Sequence, residues 1–199
     1  MHKININGQS FLLRKIKKED VEQVRRLADS CVGENLYSSK EIASAIDSSD
    51  RFFYLLQDQR GEAVGYIYYY ITTEERIAEY SKLDEGIFQA LPFNHGGRVG
   101  KIQSVGVDHE YRGMGISTKM MEFVLDELKK LSIEAVFIVC WKPKGTIQLQ
   151  KAITECAFSF LSIAKNVWYN DTRLICPYCK GRCTCDAEVY YKLLLGDES

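Results

Sequence analysis

Two short stretches of this chain hold residue types whose spacing could do chemistry. In residues 105–117, VGVDHEYRGMGIS, an apolar run stops at Val107 and a charged patch follows. Gly113 and Gly115 then sit one residue apart, just before a long amphipathic pattern. A strand that ends in glycines and enters a helix presents unpaired backbone N–H groups at the helix's positive end, an anion site best suited to phosphate. Glycine lets a ligand approach the backbone closely. Arg112 adds a fixed positive charge with forked donors. A P-loop is excluded, because no Lys followed by Ser or Thr comes after the second glycine. The dinucleotide fingerprint is excluded too, because Thr118 stands where its third glycine would fall. The plain alternative is a tight turn that binds nothing, and for an isolated Gly-x-Gly that alternative is the stronger.

The second stretch, CPYCKGRCTC, spaces Cys176, Cys179, Cys183 and Cys185 as C-x2-C-x3-C-x-C. Four thiolates this close, with Gly181 allowing a turn, suit a tetrahedral zinc with Zn–S distances of about 2.3 Å. A site with four protein ligands leaves no open position, so the metal would be structural. Loose thiols and a redox pair are the alternatives. An iron–sulfur cluster has little room in so compact a run, and no recognition helix follows to make a DNA-reading finger. Cys31, Cys140 and Cys156 lie in apolar patterns and read as core.

The elements that must position these stretches follow from periodicity. FLLRKIKKEDVEQVRRLADSCV reads as a strand and then a helix, with Asp20 as its cap and Val21, Val24, Leu27, Ala28 and Cys31 at helical spacing. Ser39 opens a second short helix. RFFYLLQ and AVGYIYYYIT pair as a hairpin about the turn DQRGE. Residues 73–97 are polar, end in a Pro and two Gly, and lack clean periodicity. They read as a long connection with room for a helical turn. RVGKIQSVGV is the strand before the glycines, and Ile116, Met120, Val124, Leu128 and Leu131 mark one face of the helix after them. AVFIVCW is a strand buried on both faces, and TIQLQKAITECAF is a helix. FLSIAKNVWY and AEVYYKLLL are two final strands flanking the cysteines. A strand–helix–strand run within a hairpin-rich chain argues for a mixed α/β sheet.

The bulk numbers bound the reading. The chain has 199 residues, 46% of them hydrophobic, enough for one sizeable core and one domain with an appendage. Its 26 basic and 27 acidic residues leave no basic field to neutralise phosphates, so nucleic acid is not an expected partner. MHKININGQSFLLRK lacks the apolar segment of a signal peptide, and no run reaches the length of a membrane span. The expectation is a cytoplasmic protein without a membrane partner, its seven cysteines reduced unless metal claims some.

SVGVDHEYRGMGIS resembles the acetyl-coenzyme A signature of the GCN5-related N-acetyltransferases (GNAT). In that family a hydrophobic strand leads through a P-E-Y-R-G type segment into a pyrophosphate loop, Arg/Gln-x-x-Gly-x-Gly/Ala. Here that loop reads Arg112, Gly113, Met114, Gly115, Ile116, Ser117, with Ser117 replacing the usual Gly or Ala. Ser is small and keeps its N–H, so binding should survive. The element order from Phe11 to Leu195 follows the family's course, and CAF at 156–158 sits where its last helix often ends in Gly-Phe. The resemblance implies a single domain over 1–199: a mixed, mostly antiparallel sheet flanked by helices. Residues 73–97 are then an insertion or acceptor-side loop, and 174–187 a small cysteine-rich zinc-type loop. It implies that Arg112 and the N–H groups of Gly113, Met114, Gly115, Ile116, Ser117 and Thr118 hold the pyrophosphate of acetyl-CoA. It further implies that the backbone of Val105, Gly106 and Val107 pairs with the pantetheine arm like an added strand.

The reaction implied is acetyl transfer from the thioester to a primary amine, of a small molecule or a protein. It needs a deprotonated amine, a polarised carbonyl and a protonated leaving thiolate. Where the family often has a Glu base this chain has Gln103, which cannot take a proton but can orient a water. Glu110, His95, Glu74 and Glu75 are the substitute bases, and His109 reads as solvated. Matching on Phe158 places Ile153 where the family's Tyr acid would stand, and Tyr190 and Tyr191 read as packing. Catalysis by positioning alone is one outcome. A non-catalytic acyl-CoA-binding or sensing module is another, and a zinc-mediated interaction protein a third. The oligomeric state is left open, a homodimer among the alternatives.

Overall fold

Asn7 and Gly8 stand at φ of 49° and 79°, the left-handed pair that a two-residue type I′ turn needs. They join β1 (His2–Ile6) to β2 (Gln9–Lys15) in a hairpin with Ile6 opposite Gln9. This first strand precedes the start expected at Phe11, and the Asn-Gly pair was its sequence signal. The computed structural model describes residues 1–194, so Leu195 of the expected last strand and the rest of the 1–199 span lie outside the described residues.

The remaining elements are α1 (Val21–Cys31), α2 (Ser39–Ala43), β3 (Arg51–Gln57), β4 (Ala63–Thr72), α3 (Glu74–Ser81) and α4 (Glu85–Gln89). Then come β5 (Val99–Val107), α5 (Ile116–Lys130), β6 (Ala135–Lys142), α6 (Gln150–Glu155), β7 (Ser159–Ala164) and β8 (Asp186–Leu193). The strands form one eight-stranded sheet in the order β1-β2-β3-β4-β5-β6-β8-β7. Every neighbouring pair is antiparallel except β5 and β6, which α5 connects as a parallel crossover. The expected mixed, mostly antiparallel sheet with flanking helices is the fold observed.

Side-chain alternation distributes the core to both faces. On β6, Val136, Ile138 and Cys140 pack with Met120, Val124 and Leu128 of α5. The alternate residues Ala135 and Phe137 pack on the opposite face with Ile77, Ala78, Phe88 and Leu91 of the 73–97 segment. That segment is therefore two short helices, not a loop. Neither helix is long enough to show a full apolar stripe, and their burial is decided by the sheet beneath them. Val24, Leu27 and Ala28 of α1 cover Phe53, Leu55 and Tyr66 beside them.

Several local expectations are corrected. Asp20 stands at the N-cap of α1, but its side chain makes no capping bond to that helix. Its carboxylate accepts a fork from Arg14 at 2.7 and 2.8 Å and the Lys17 N–H at 2.7 Å, and the Arg14 hydrogen bond leads in holding its pKa below the usual range. Ser39 opens α2 as expected, and Ser38 before it is the cap, in a capping box with Glu41. Leu131 ends α5 and is 45% exposed. Asn166 has φ of 48°, and β7 has already ended at Ala164. Cys140 and Cys156 are buried, but Cys31 is half-buried and lines a cleft.

Candidate active site

The site begins where β5 and β6 part. They pair only from Gly100–Val136 to Ile102–Ile138. Beyond that point β5 stays with β4 as far as Val107, and β6 stays with β8 as far as Lys142. Two parallel strands that diverge at their C-terminal ends open a gap within the sheet, and the edge of β5 facing it is unladdered among the described residues. A cleft of about 490 Å³ fills the gap. Gln103, Ser104, Val105, Gly106 and Val107 line it from β5; Ile138, Val139, Cys140 and Trp141 line it from β6. The β5 side offers the kind of sheet edge that an extended ligand can join by main-chain hydrogen bonds.

One end of the cleft is the glycine turn, lined by Arg112, Gly113, Gly115, Ile116 and Ser117. Gly113 and Gly115 stand at φ of 80° and 83°, and a Cβ on either would meet nothing within 4 Å. Backbone conformation, not crowding, therefore requires glycine at both positions. Gly115 enters α5 with no side-chain cap, and no acidic residue occupies the first turn. The first turn of α5 thus contributes no carboxylate of its own to compete for its N–H groups. Lys119 is the residue whose N–H returns to Gly115 O. Arg112 Nε donates to Val107 O at 3.0 Å. Met114 packs against the core, and Thr118 is buried with its hydroxyl donating to Glu155 at 2.6 Å. Neither side chain lines the cleft, so any contact from these two positions is through the backbone.

Gln103 lies about 13 Å of strand away from Val107. Tyr68 pairs with Ser104 and Tyr69 with Ile102, which leaves Gln103 as the extra residue of a β-bulge. A second cavity of about 740 Å³ adjoins the cleft through shared walls: Gln103, Tyr37 and Tyr80 line both. The second cavity adds Tyr68, Tyr70 and Phe53 with Glu41, Asp50, Glu79, Arg51 and Arg76.

A buried polar network sits at this junction. Lys101 is 1% exposed, with Nζ 2.5 Å from Gln103 Oε1 and 3.3 Å from the centre of the Tyr80 ring. No carboxylate partners it among the described residues, and burial pushes its pKa well below the ordinary lysine value. Gln103 Nε2 and Trp168 Nε1 both donate to the Tyr80 hydroxyl, at 3.4 and 2.9 Å. Tyr37 and Ser104 exchange a hydrogen bond at 2.8 Å. The indole N–H of Trp141, on the cleft wall, is buried without a partner.

The other candidate bases lie elsewhere. Glu110 and His109 are exposed on a 3-10 turn outside both cavities. His95 is paired with Glu74 at 2.9 Å, and Glu75 is exposed. Ile153 is core, and Tyr190 is buried beside Phe160. Of the sequence candidates, then, the fold brings Gln103 to the junction and keeps the carboxylates away. Sequence reading missed Tyr80, Lys101, Trp141 and Trp168. A lysine inside the apolar strand KIQSV was the one available signal.

The four cysteines between β7 and β8 converge, their sulfurs all within 4.8 Å of one another. Cys179 Sγ is 3.6 Å and Cys176 Sγ 4.0 Å from Cys185 Sγ. A tetrahedron with 2.3 Å metal–sulfur bonds has ligand edges of about 3.8 Å, so the donor set and spacing fit zinc. Backbone N–H groups of Cys179 and Thr184 point to Cys176 and Cys179 sulfurs, as supporting donors to thiolates do. The left-handed residue of the turn is Lys180, at φ 55°, and Gly181 instead bridges back to Cys176. The loop is docked on the molecule: Ile175 N–H donates to Glu34 O, and Leu174, Cys176 and Cys183 pack with Leu36, Trp141 and Trp168. Leu174, Pro177 and Tyr178 line the cleft.

No described helix is long and apolar enough to cross a membrane. Sequence comparison finds no matching curated protein. Among solved structures, Arabidopsis thaliana NAA60 in complex with acetyl-CoA superposes with a TM-score of 0.72 at 14% identity, over 94% of this chain and 99% of that one. The ribosomal-protein-S18-alanine N-acetyltransferase from Escherichia coli gives 0.64 at 14% identity, over 95% and 98%. A Drosophila melanogaster polyamine N-acetyltransferase gives 0.61 at 12% identity, over 92% and 99%. At such identities these likenesses speak to fold. The acetyltransferase (GNAT) family model matches residues 19–148, more than half of the sequence and the whole path from α1 through the glycine turn to β6, and the chain belongs to that family.

Proposed function

We propose that the protein is an N-acetyltransferase that moves the acetyl group of acetyl-CoA onto a primary amine. The observation that carries this reading is the split between β5 and β6, which runs from the glycine turn to the Gln103 junction. Acetyl-CoA suits the residues along it. The N–H groups from Gly113 through Met114, Gly115, Ile116 and Ser117 to Thr118 hold the pyrophosphate, with Arg112 beside them. The free edge of Val105, Gly106 and Val107 hydrogen-bonds the pantetheine. When bound, acetyl-CoA supplies an activated acyl group to the junction.

The acceptor enters by the second cavity. The Tyr68 and Tyr70 rings, and three carboxylates (Glu41, Asp50, Glu79) against two guanidiniums (Arg51, Arg76), favour an ammonium. Gln103, which lines both cavities, orients the amine or a water that relays its proton. The acceptor is a small amine or a protein amino group, and its passage along α3 gives the 73–97 segment a part in selectivity. Cys176, Cys179, Cys183 and Cys185 hold one structural zinc. A site of four thiolates suits a reducing compartment, and the cytoplasm is the one proposed.

A second reading rests on Gln103 itself. With no ionisable group lining the junction from that position, the domain could bind acyl-CoA without turnover. Calorimetry with acetyl-CoA, followed by an amine panel read by free-thiol release, separates the two. Binding with amine-dependent thiol release is expected. Binding without release from any amine supports the sensing module, and no binding removes both.

A further inference from the structure

The Tyr80 hydroxyl has an uneven hydrogen-bond ledger. Trp168 Nε1, which can only donate, points at its oxygen from 2.9 Å. The Gln103 amide points a second N–H at it from 3.4 Å. The orientation of that amide is settled by its other end: Lys101 Nζ, a donor in either protonation state, lies 2.5 Å from Oε1, and the Tyr70 hydroxyl donates to the same oxygen at 3.5 Å. The Tyr80 oxygen therefore accepts twice, and its own proton has no acceptor among the described residues. Tyr80 lines the cleft and the second cavity at once. A free O–H therefore belongs to one of the three residues, with Tyr37 and Gln103, that line both cavities.

We infer that Tyr80, from the helix inserted between β4 and β5, is a catalytic residue: the hydrogen-bond donor to the thioester sulfur and the proton donor to the departing thiol. This rests on the acetyltransferase reading above. In the step, the lone pair of the acceptor nitrogen forms the N–C bond at the carbonyl carbon. The C–S bond breaks with its electron pair left on sulfur. The Tyr80 proton goes to that sulfur, and the nitrogen, now amide, sheds a proton that restores Tyr80. Amine and thioester become amide and thiol, with no co-reactant. Burial raises the Tyr80 pKa against the lowering effect of the Gln103 and Trp168 hydrogen bonds, so the hydroxyl is protonated at neutral pH. The same two N–H groups face the oxygen when it becomes a phenolate, where preorganised donors are most effective. Lys101 is a positioning residue that acts by holding the Gln103 amide in one orientation.

The test compares the parent with Tyr80→Phe and Trp168→Phe. Acetyl-CoA affinity is read by calorimetry, amide formation by thiol release, and the proton in flight by the solvent isotope effect on kcat. Tyr80→Phe should lower kcat about 100-fold or more, leave acetyl-CoA affinity within twofold, and abolish the isotope effect. Trp168→Phe, which keeps the hydroxyl but removes a donor to it, should lower kcat less, again without loss of affinity. A Tyr80→Phe protein that turns over within twofold of the parent overturns the assignment while leaving the acetyltransferase reading intact. If Tyr80→Phe does not fold, an unchanged kcat and isotope effect in Trp168→Phe overturns it instead. A parent that binds acetyl-CoA but releases no thiol removes the reading on which the assignment rests.

Discussion

The two ends of the cleft are built from different materials. At the glycine turn the cavity is lined by Arg112, Gly113, Gly115, Ile116 and Ser117, residues of one short stretch whose shape is set by the left-handed φ values of its two glycines. At the Gln103 junction the groups are side chains from Tyr37, Tyr80, Lys101, Gln103 and Trp168, which come from four separate stretches of the chain and meet only through the fold. A site made of backbone is encoded locally and tolerates variation around it. A site made of side chains is a property of the packing, and each member depends on the next.

That contrast can be broken most directly at its local end. Gly115→Val forces a β-branched residue into a left-handed conformation at the helix entrance, a strain of about 1–2 kcal/mol before any ligand contact is lost. Acetyl-CoA affinity should fall roughly 10- to 100-fold, while the core, which a Cβ at this position does not touch, stays folded. Unchanged affinity by calorimetry would mean that the pyrophosphate lies elsewhere.

The junction should be more sensitive to distant support. The cysteine loop packs on Trp168 and Trp141, and Trp168 holds Tyr80. Removing the metal with a chelator, or with the Cys179→Ser/Cys183→Ser pair, should lower the thermal midpoint by on the order of 5–10 °C. It should cut turnover several-fold and spare acetyl-CoA affinity at the glycine turn. Elemental analysis should find one zinc per parent chain and none in the variant; equal metal in both would leave four ordinary thiols.

Lys101→Met sharpens the same comparison without touching a metal. Replacing a buried lysine that has no carboxylate partner by an apolar residue of similar length should leave the thermal midpoint unchanged or raise it. Turnover should still drop several-fold, because the Gln103 amide is no longer held. A variant destabilised and inactive in equal measure would assign Lys101 to the fold alone.

The smallest effect expected is at the outer edge of the insertion. The hydrogen bond with Glu74 raises the pKa of His95 above its ordinary value, so the pair favours the folded state while His95 is protonated. That contribution is complete below the unfolded pKa of about 6.5 and is lost as pH rises through the higher folded value. A thermal midpoint that declines slightly above pH 6.5 in the parent, but not in His95→Gln, is the expected observation. An identical profile in both would remove the pair from the stability of α3.

The glycine turn, the crossover helix behind it and the buried strand after it were readable because each declares itself in a few residues. Gly113 and Gly115 adopt a conformation that few other residues accept. Ile116, Met120, Val124 and Leu128 repeat at helical spacing on a helix long enough to show it, and residues 135–141 are apolar without interruption. The spacing of the four cysteines likewise anticipated that their sulfurs would converge. Residues 73–97 were not readable, because a helix of eight residues and one of five are stabilised by Val99, Ala135 and Phe137 beneath them, not by their own pattern. Tyr80 lies on the first of these helices, and so its place in the site was hidden as well. The sequence by itself determined the glycine turn, through the motif that resembles the family's signature, and the four candidate metal ligands, because those depend on local backbone geometry and ligand count. The tertiary structure alone decided which side chains meet at the Gln103 junction. Hydrogen bonds and burial there are made between strands, helices and loops that only the folded sheet brings within 3 Å or so of one another.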